Sequence, residues 1–113
     1  MKKIIKIILL VTCAFLINVG IVKANEKIKI GLLVPLTGEN SEIGKSIIKS
    51  VRLAINKINN SSIEIVPKDT KSNPEITLKA ANELASSDVK IIIGPVFNES
   101  LIYLDKLSEI TFL

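Results

Sequence analysis

The stretch from Lys27 to Gly44, KIKIGLLVPLTGENSEIG, decides the fold of this 113-residue sequence. Ile28 to Val34 is almost continuously apolar, which is typical of a strand that is buried on both faces of a parallel sheet. Pro35 to Asn40 is a short polar turn, and apolar residues at helical spacing begin near Ser41. A buried strand that leads through a polar turn into a helix forms the front of a ligand site in open α/β sheets.

The sequence then repeats this strand-and-helix pattern. The first helix is predicted from Ser41 to about Asn59, with an apolar stripe formed by Ile43, Ile47, Val51, Ala54, Ile55 and Ile58. The second strand, Ile63 to Val66, alternates between apolar and polar residues, so we expect it near an edge of the sheet.

A polar connection over residues 67–73 follows the second strand, and Asp69 in it is expected to cap a turn. The second helix is predicted to begin at Pro74 after the cap residue Asn73, and the alternative is a capping box one residue earlier, formed by Ser72 and Glu75. The apolar side of this helix is predicted to consist of Ile76, Ala80, Ala81 and Leu84.

The third strand, Val89 to Ile93, is predicted to stop at Gly94-Pro95, because proline has no N–H to donate to a neighbouring strand. A third helix is expected from about Glu99 to Leu107 and a fourth strand from Ile110. This alternation predicts an α/β fold with a doubly wound parallel sheet in the flavodoxin-like order 2-1-3-4. Ligand should then lie at the carboxyl ends of the first and third strands, where the strand order reverses. The third helix should turn Leu101, Leu104 and Leu107 inward.

Residues 1–24 have the features of a secretory signal peptide. A positively charged start precedes an apolar run, and Val22-Lys23-Ala24 fits the small-residue rule for cleavage after Ala24. The alternative is an uncleaved membrane anchor, since the run is nearly long enough to span a bilayer, but Lys6 and Asn18 interrupt it. We therefore expect cleavage and export of residues 25–113 to the periplasm.

Removal of this leader changes the charge of the protein. The whole sequence carries a net charge of +4, but the leader contains lysines and no acidic residue, so the exported part is close to neutral. A neutral chain offers no basic surface for nucleic acid.

The single cysteine, Cys13, lies in the leader and histidine is absent, which excludes a typical zinc site and a cysteine nucleophile from the exported part. We expect no cofactor. The alternative is a lipoprotein signal in which Cys13 is lipidated, but Thr12 directly before the cysteine fits such a signal poorly.

Two turns are predicted to meet at the ligand site. The first offers the hydroxyls of Thr37 and Ser41, which are either plain turn and cap residues or hydrogen-bond donors to a ligand. The second offers the N–H groups near Asn98 and Ser100 at the start of the third helix, where the helix dipole favours a carboxylate. Phe97 is either a core residue or a stacking platform. The candidate ligand contacts are therefore Thr37, Ser41, Phe97, Asn98 and Ser100.

A phosphate-binding loop is the competing interpretation of the first turn. Gly38 to Ser46 follows a strand, enters a helix and ends in Gly-Lys-Ser. Such a loop needs four residues between its glycines, and this sequence has one more than that between Gly38 and Gly44. Glu39 and Glu42 would also face a polyphosphate with negative charge. A nucleotide triphosphatase is therefore disfavoured, and Gly44 is expected to let the first helix pack close to the sheet.

These residues together resemble the type 1 periplasmic binding fold, in particular the leucine-binding-protein superfamily of ABC-transporter receptors. The resemblance covers Ile28 to Asn59, then DTKSNPE from Asp69 to Glu75, and then IIIGPVFNESL from Ile91 to Leu101. Gly94-Pro95-Val96-Phe97 followed by Ser100 is most similar to a branch of penicillin-binding protein activators. Amino-acid receptors tend to have a serine-rich turn at this place, whereas this sequence has Phe97, Asn98 and Glu99.

The resemblance implies a non-enzymatic protein with two lobes that close over a small ligand, an amino acid or a similar molecule. Its partner would be an inner-membrane ABC permease. The alternative implied by the activator branch is an envelope protein that regulates a cell-wall synthase. The final apolar run, Ile110 to Leu113, is not followed by a turn, so we expect residues 25–113 to be an N-terminal fragment that holds a truncated first lobe.

Overall fold

The computed structural model describes residues 1–7 and 26–113. Residues 2–7 are helical and exposed. The second range contains β1 (Ile28–Val34), α1 (Ser41–Ile58), β2 (Ile63–Asp69), α2 (Pro74–Ser86), β3 (Ile91–Ile93), a 3₁₀ helix (Asn98–Tyr103) and β4 (Thr111–Phe112). Most of the predicted leader, with Cys13 and the cleavage site, lies outside the described residues. None of the helices in these two ranges has the length and hydropathy needed to cross a bilayer.

The four strands form one parallel sheet in the order β2-β1-β3-β4. This confirms the predicted α/β fold, its strand order and the position of β2 at an edge. β1 is a central strand that pairs with β2 along its whole length, from Ile28 opposite Ile63 to Val34 opposite Asp69. On its other side β1 pairs with β3, from Ile30 to Leu32.

The core lies between the sheet and α2. Leu33 of β1 and Ile92 of β3 are fully buried against Ala81 and Leu84 of α2, and Leu104 closes the same cluster beyond the 3₁₀ helix. Because side chains of a strand alternate between faces, Leu32 and Val34 point to the opposite face, where they are also buried. The near-continuous apolar sequence of β1 is therefore explained by burial on both faces.

Gly44 is the buried residue of α1. A Cβ at Gly44 would overlap the carbonyl oxygen of Pro35, so the absence of a side chain allows the contact. Gly44 therefore allows close packing, as predicted, but against the turn after β1 and not against the sheet itself. The predicted apolar stripe is covered only in part, because Ile43 and Ile58 are 44% and 61% exposed. Half-buried positions of the stripe are Ile47, Val51 and Ile55, whereas Ala54 is exposed.

Helix α2 begins at Pro74, as predicted, and Asn73 is its N-cap. The Asn73 side chain accepts hydrogen bonds from the N–H groups of Glu75 and Ile76, which satisfies two of the free donors of the first turn. The alternative capping box is wrong, because the Ser72 side chain accepts a hydrogen bond from Asn40 instead. No role was predicted for Thr77, whose hydroxyl is buried and donates to the carbonyl of Asn73.

Three predicted elements differ from the structure. β2 continues to Asp69 instead of ending at Val66, and it tolerates Pro67 because it is an edge strand. β3 is shorter than predicted, with three residues. The predicted third helix is a six-residue 3₁₀ helix, and Leu101 is 45% exposed, not buried. A spacing of three between leucines fits the three-residue turn of a 3₁₀ helix at least as well as an α-helix.

Candidate functional site

The turns after β1 and β3 lie at the same rim of the sheet. Both strands are parallel neighbours, so their carboxyl ends point the same way. β2 and β3 lie on opposite sides of β1, which makes the β1–β3 boundary the place where the strand order reverses. We call this edge the carboxyl rim. The turn of Thr37 and the turn of Asn98 both open on this rim, as the sequence predicted.

The first turn is held by Asp69 at the end of β2. Its Oδ1 accepts hydrogen bonds from the N–H of Leu36 at 2.8 Å and of Lys71 at 2.9 Å, and more weakly from the N–H of Thr37 at 3.4 Å. Its Oδ2 accepts a short hydrogen bond of 2.6 Å from the Thr37 hydroxyl. The turn after β1 is therefore fixed by a carboxylate from the neighbouring strand. We call these contacts the Asp69 clamp.

The clamp favours the ionised form of Asp69. Partial burial works to raise the pKa of this carboxyl, but the hydrogen bonds from the Thr37 side chain and from three backbone N–H groups outweigh it. The pKa of Asp69 is consequently lowered below its usual value. Hydrogen bonds to the charged form of an acid stabilise that form, and here the combined effect of the four bonds exceeds that of burial.

Further contacts join the β1–α1 turn to the β2–α2 loop. The Asn40 side chain donates to the Ser72 hydroxyl at 3.1 Å, and the N–H of Thr70 donates to the carbonyl of Val34 at 3.0 Å. Thr70 itself is buried. The two loops thus form one hydrogen-bonded unit. The sequence predicted only a turn cap at Asp69, and it gave no signal for partners more than thirty positions away.

The two hydroxyl candidates of the first turn differ in position. Thr37 is exposed at the rim, although its hydroxyl proton is donated to Asp69. Ser41 is half-buried and is the first residue of α1, and its N–H donates to the carbonyl of Gly38 at 3.2 Å. The N-cap of α1 is Asn40, so the cap interpretation of Ser41 is wrong.

The second turn is held mainly through its backbone. Gly94 has a φ of +102°, and a Cβ there would lie 2.6 Å from the carbonyl oxygen of Leu33. Only glycine fits this approach of the β3 end to β1. The N–H of Gly94 also donates to the carbonyl of Leu113 at 2.9 Å. These backbone contacts set where the second turn begins.

The three candidates of the second turn are not equivalent. Phe97 is half-buried and Asn98 is exposed. Ser100 is only 4% exposed, and its hydroxyl donates to the Thr77 hydroxyl of α2 at 3.4 Å. The N–H of Ser100 is also used, since it donates to the carbonyl of Phe97 at 3.2 Å. Ser100 therefore supports the turn from behind, and the predicted α-helix N-terminus that would hold a carboxylate is not formed.

The described residues contain no group of three or more acidic, histidine or cysteine side chains that is suited to a metal ion. An open groove of the surface runs along α2 and includes Lys68 of β2, which forms an ion pair with Glu83 at 2.7 Å. None of the five candidate ligand contacts lines that groove.

Comparison with known proteins places this geometry in a family. A family described as periplasmic binding proteins matches residues 27–102. No curated protein matches the sequence. Among solved structures, a solute-binding protein of an ABC transporter from Rhodopseudomonas palustris BisB5, in complex with 3,4-dihydroxybenzoic acid, is 30% identical with a TM-score of 0.67, over 74% of this chain and 24% of that chain.

Two further structures are similar. The branched-chain amino acid transporter substrate-binding protein LivJ from Streptococcus pneumoniae, in complex with isoleucine, is 25% identical with a TM-score of 0.64, over 76% of this chain and 28% of that one. The C-domain of LpoA from Haemophilus influenzae, a regulator of PBP1A, is 26% identical with a TM-score of 0.58, over 73% and 24%. The chain thus spans about a quarter of the length of these proteins.

Proposed function

The chain belongs to the periplasmic binding protein family, and from this premise we propose that it is part of an exported, non-enzymatic solute-binding protein of the leucine and branched-chain amino-acid type. Residues 25–113 would supply the N-terminal part of the first of two lobes. A small ligand, an amino acid or a similar molecule, would be held between the lobes. The closed form would be presented to an inner-membrane ABC permease.

The observation that carries this proposal is the adjacency of β1 and β3 at the carboxyl rim. Two turns that open on one rim can contact one ligand together, and a ligand that also contacts a second lobe shifts the hinge towards closure. Thr37, Ser41, Phe97 and Asn98 are the proposed contacts from this lobe. Ser100 is proposed to act indirectly, by holding the second turn against Thr77.

Location follows from the same premise. The family name and the leader features both point to export, so we propose that the protein acts in the periplasm after removal of residues 1–24. No nucleic acid partner is proposed, because the exported part is close to neutral.

A thermal-shift screen of the full-length protein tests the proposal. We expect the melting temperature to rise by several degrees with one member of a panel of amino acids and aromatic carboxylates, because ligand at about 100 times its Kd adds about 2.7 kcal/mol. The variant Asn98→Ala should weaken the response, and Leu53→Ala on the exposed side of α1 is the matched control. The absence of a shift with every compound would contradict the proposal.

A second function has its own support. The likeness to the LpoA C-domain and the Phe97-Asn98-Glu99 turn, in place of a serine-rich one, favour an envelope protein that regulates a cell-wall synthase. Co-purification of a synthase with the full-length protein, together with no thermal shift for any small molecule, would favour this function over solute binding.

A further inference from the structure

We propose that Asp69 is a positioning residue that sets the hydrogen-bond polarity of the carboxyl rim, so that Thr37 accepts a hydrogen bond from the ligand. The ligand must then present a donor, an ammonium or a hydroxyl group, to this turn. The inference rests on the proposed solute-binding function and deepens it, because it names a chemical feature of the solute. It also replaces the expectation that Thr37 donates to the ligand.

The short contact between Thr37 and Asp69 carries the argument. A threonine hydroxyl has one proton to donate and two lone pairs. An ionised carboxylate only accepts, so at 2.6 Å the proton of the Thr37 hydroxyl must lie towards Asp69. What remains for a ligand is the lone pairs of the Thr37 oxygen, on an exposed residue of the rim.

The Asp69 carboxylate cannot easily rotate away from the Thr37 hydroxyl. Its other oxygen is held by the N–H groups of Leu36 and Lys71, at 2.8 and 2.9 Å. These donors come from both loops, so they fix the plane of the carboxylate as well as its position. They also lower the pKa of Asp69, which keeps the group ionised and unable to donate at neutral pH.

The bond to Asp69 also makes the Thr37 oxygen a stronger acceptor for a donor group on the ligand. A hydroxyl that donates to a carboxylate is polarised and becomes a better acceptor, because hydrogen bonds in a chain strengthen one another. The first turn therefore suits an ammonium or hydroxyl group better than a carboxylate.

The substitution Asp69→Asn provides a direct test in the full-length protein. The amide oxygen can still accept from the backbone N–H groups, while the amide nitrogen donates to the Thr37 oxygen and forces the hydroxyl proton outward. The Thr37 hydroxyl would then donate a hydrogen bond to the ligand, whereas in the wild-type protein it accepts one. Glu99→Gln is the matched control, since it removes one rim carboxylate without contact to Thr37. Thr37→Val removes the hydroxyl, and Thr37→Ser restores it.

Two pairs of probes report the polarity. Isoleucine and 3-methylpentanoate differ by the ammonium group, and 3,4-dihydroxybenzoate and benzoate differ by two hydroxyl groups. For whichever pair binds, the preference is the Kd of the compound without the donor group divided by the Kd of the compound that has it. We expect Asp69→Asn to reduce this ratio about tenfold, which corresponds to the reversal of one hydrogen bond. Thr37→Val should reduce it similarly, whereas Thr37→Ser and Glu99→Gln should retain it. An unchanged preference in both Asp69→Asn and Thr37→Val would overturn the proposal.

Failure of the binding function itself has a different signature. In that case none of the four compounds would bind the wild-type protein. In NMR spectra, the amide resonances of Leu36 and Thr37 would nevertheless shift as Asp69 titrates at acidic pH. Asp69→Asn would abolish this pH-dependent shift. That result would support the positioning role of Asp69 in the absence of a solute. The Glu39→Gln background removes the other carboxylate of this turn from the titration. Resonances that do not follow Asp69 would overturn the positioning role.

Discussion

The two turns at the carboxyl rim are built in different ways. The turn after β1 is held by side chains, through the Asp69 clamp and the contact of Asn40 with Ser72. The turn after β3 is held by its backbone at Gly94 and by one long hydrogen bond of Ser100. The first turn is therefore fixed by side-chain hydrogen bonds, whereas the side chain of Asn98 in the second turn is exposed.

The largest expected effect concerns the backbone of the second turn. Gly94→Ala should destabilise the full-length protein by about 3 kcal/mol, since it combines the cost of a positive φ with overlap on the carbonyl of Leu33. Gly38→Ala is the matched change in the first turn, where φ is +84° and space is open, and it should cost about 1 to 2 kcal/mol. Urea unfolding measures both. Equal costs would contradict the difference drawn between the turns.

Removal of the carboxylate from the first turn comes next. Asp69→Ala should destabilise by about 2 kcal/mol, because several donors lose a charged acceptor at once. Glu99→Ala in the second turn is the control, and we expect almost no change from it, since it is exposed. The contrast fails if urea unfolding gives both variants the same stability.

Acid should weaken the first turn more than the second. The folded pKa of Asp69 is lowered, so its contribution is complete above the unfolded pKa and is lost as pH falls below about 4 towards the folded value. Unfolding measured at pH 7 and pH 3 should show a larger loss in the wild type than in Asp69→Asn. The pKa of Glu83 is also lowered, chiefly by its hydrogen bond from Lys68, so Glu83→Gln is the required comparison. A pH dependence that is unchanged in Asp69→Asn would be evidence against the clamp.

The smallest effect is expected at Ser100. Its hydrogen bond to Thr77 is 3.4 Å long, so Ser100→Ala should cost only about 0.5 kcal/mol. Thr77→Val should cost more, because the Thr77 hydroxyl also donates to Asn73 at 2.8 Å. A cost at Ser100 as large as that at Asp69 would show that side chains hold both turns alike.

Much of this fold could be predicted because its signals are local. The apolar run of β1, the proline at the start of α2 and the cap at Asn73 each act within a few residues. The contacts of the candidate site were harder to predict from the sequence. The bond from Thr37 to Asp69 joins residues 32 positions apart, and it depends on β2 continuing past Pro67.

The second turn was mispredicted for a different reason. Leucines three residues apart, at Leu101, Leu104 and Leu107, suggested an α-helix that would present N–H groups to a carboxylate. The structure has a short 3₁₀ helix in which Ser100 faces α2. Periodicity alone does not separate these two helices over so few residues.

Pro67 has one more consequence, for self-association. Edge strands of a sheet can recruit a strand from another molecule, and proteins resist this with proline and charged residues. β2, an edge of the described sheet, carries Pro67 between the charged residues Glu64 and Lys68. This border of the molecule is thereby protected against intermolecular β-pairing, and a fibril or a strand-exchanged dimer would have to grow from another place.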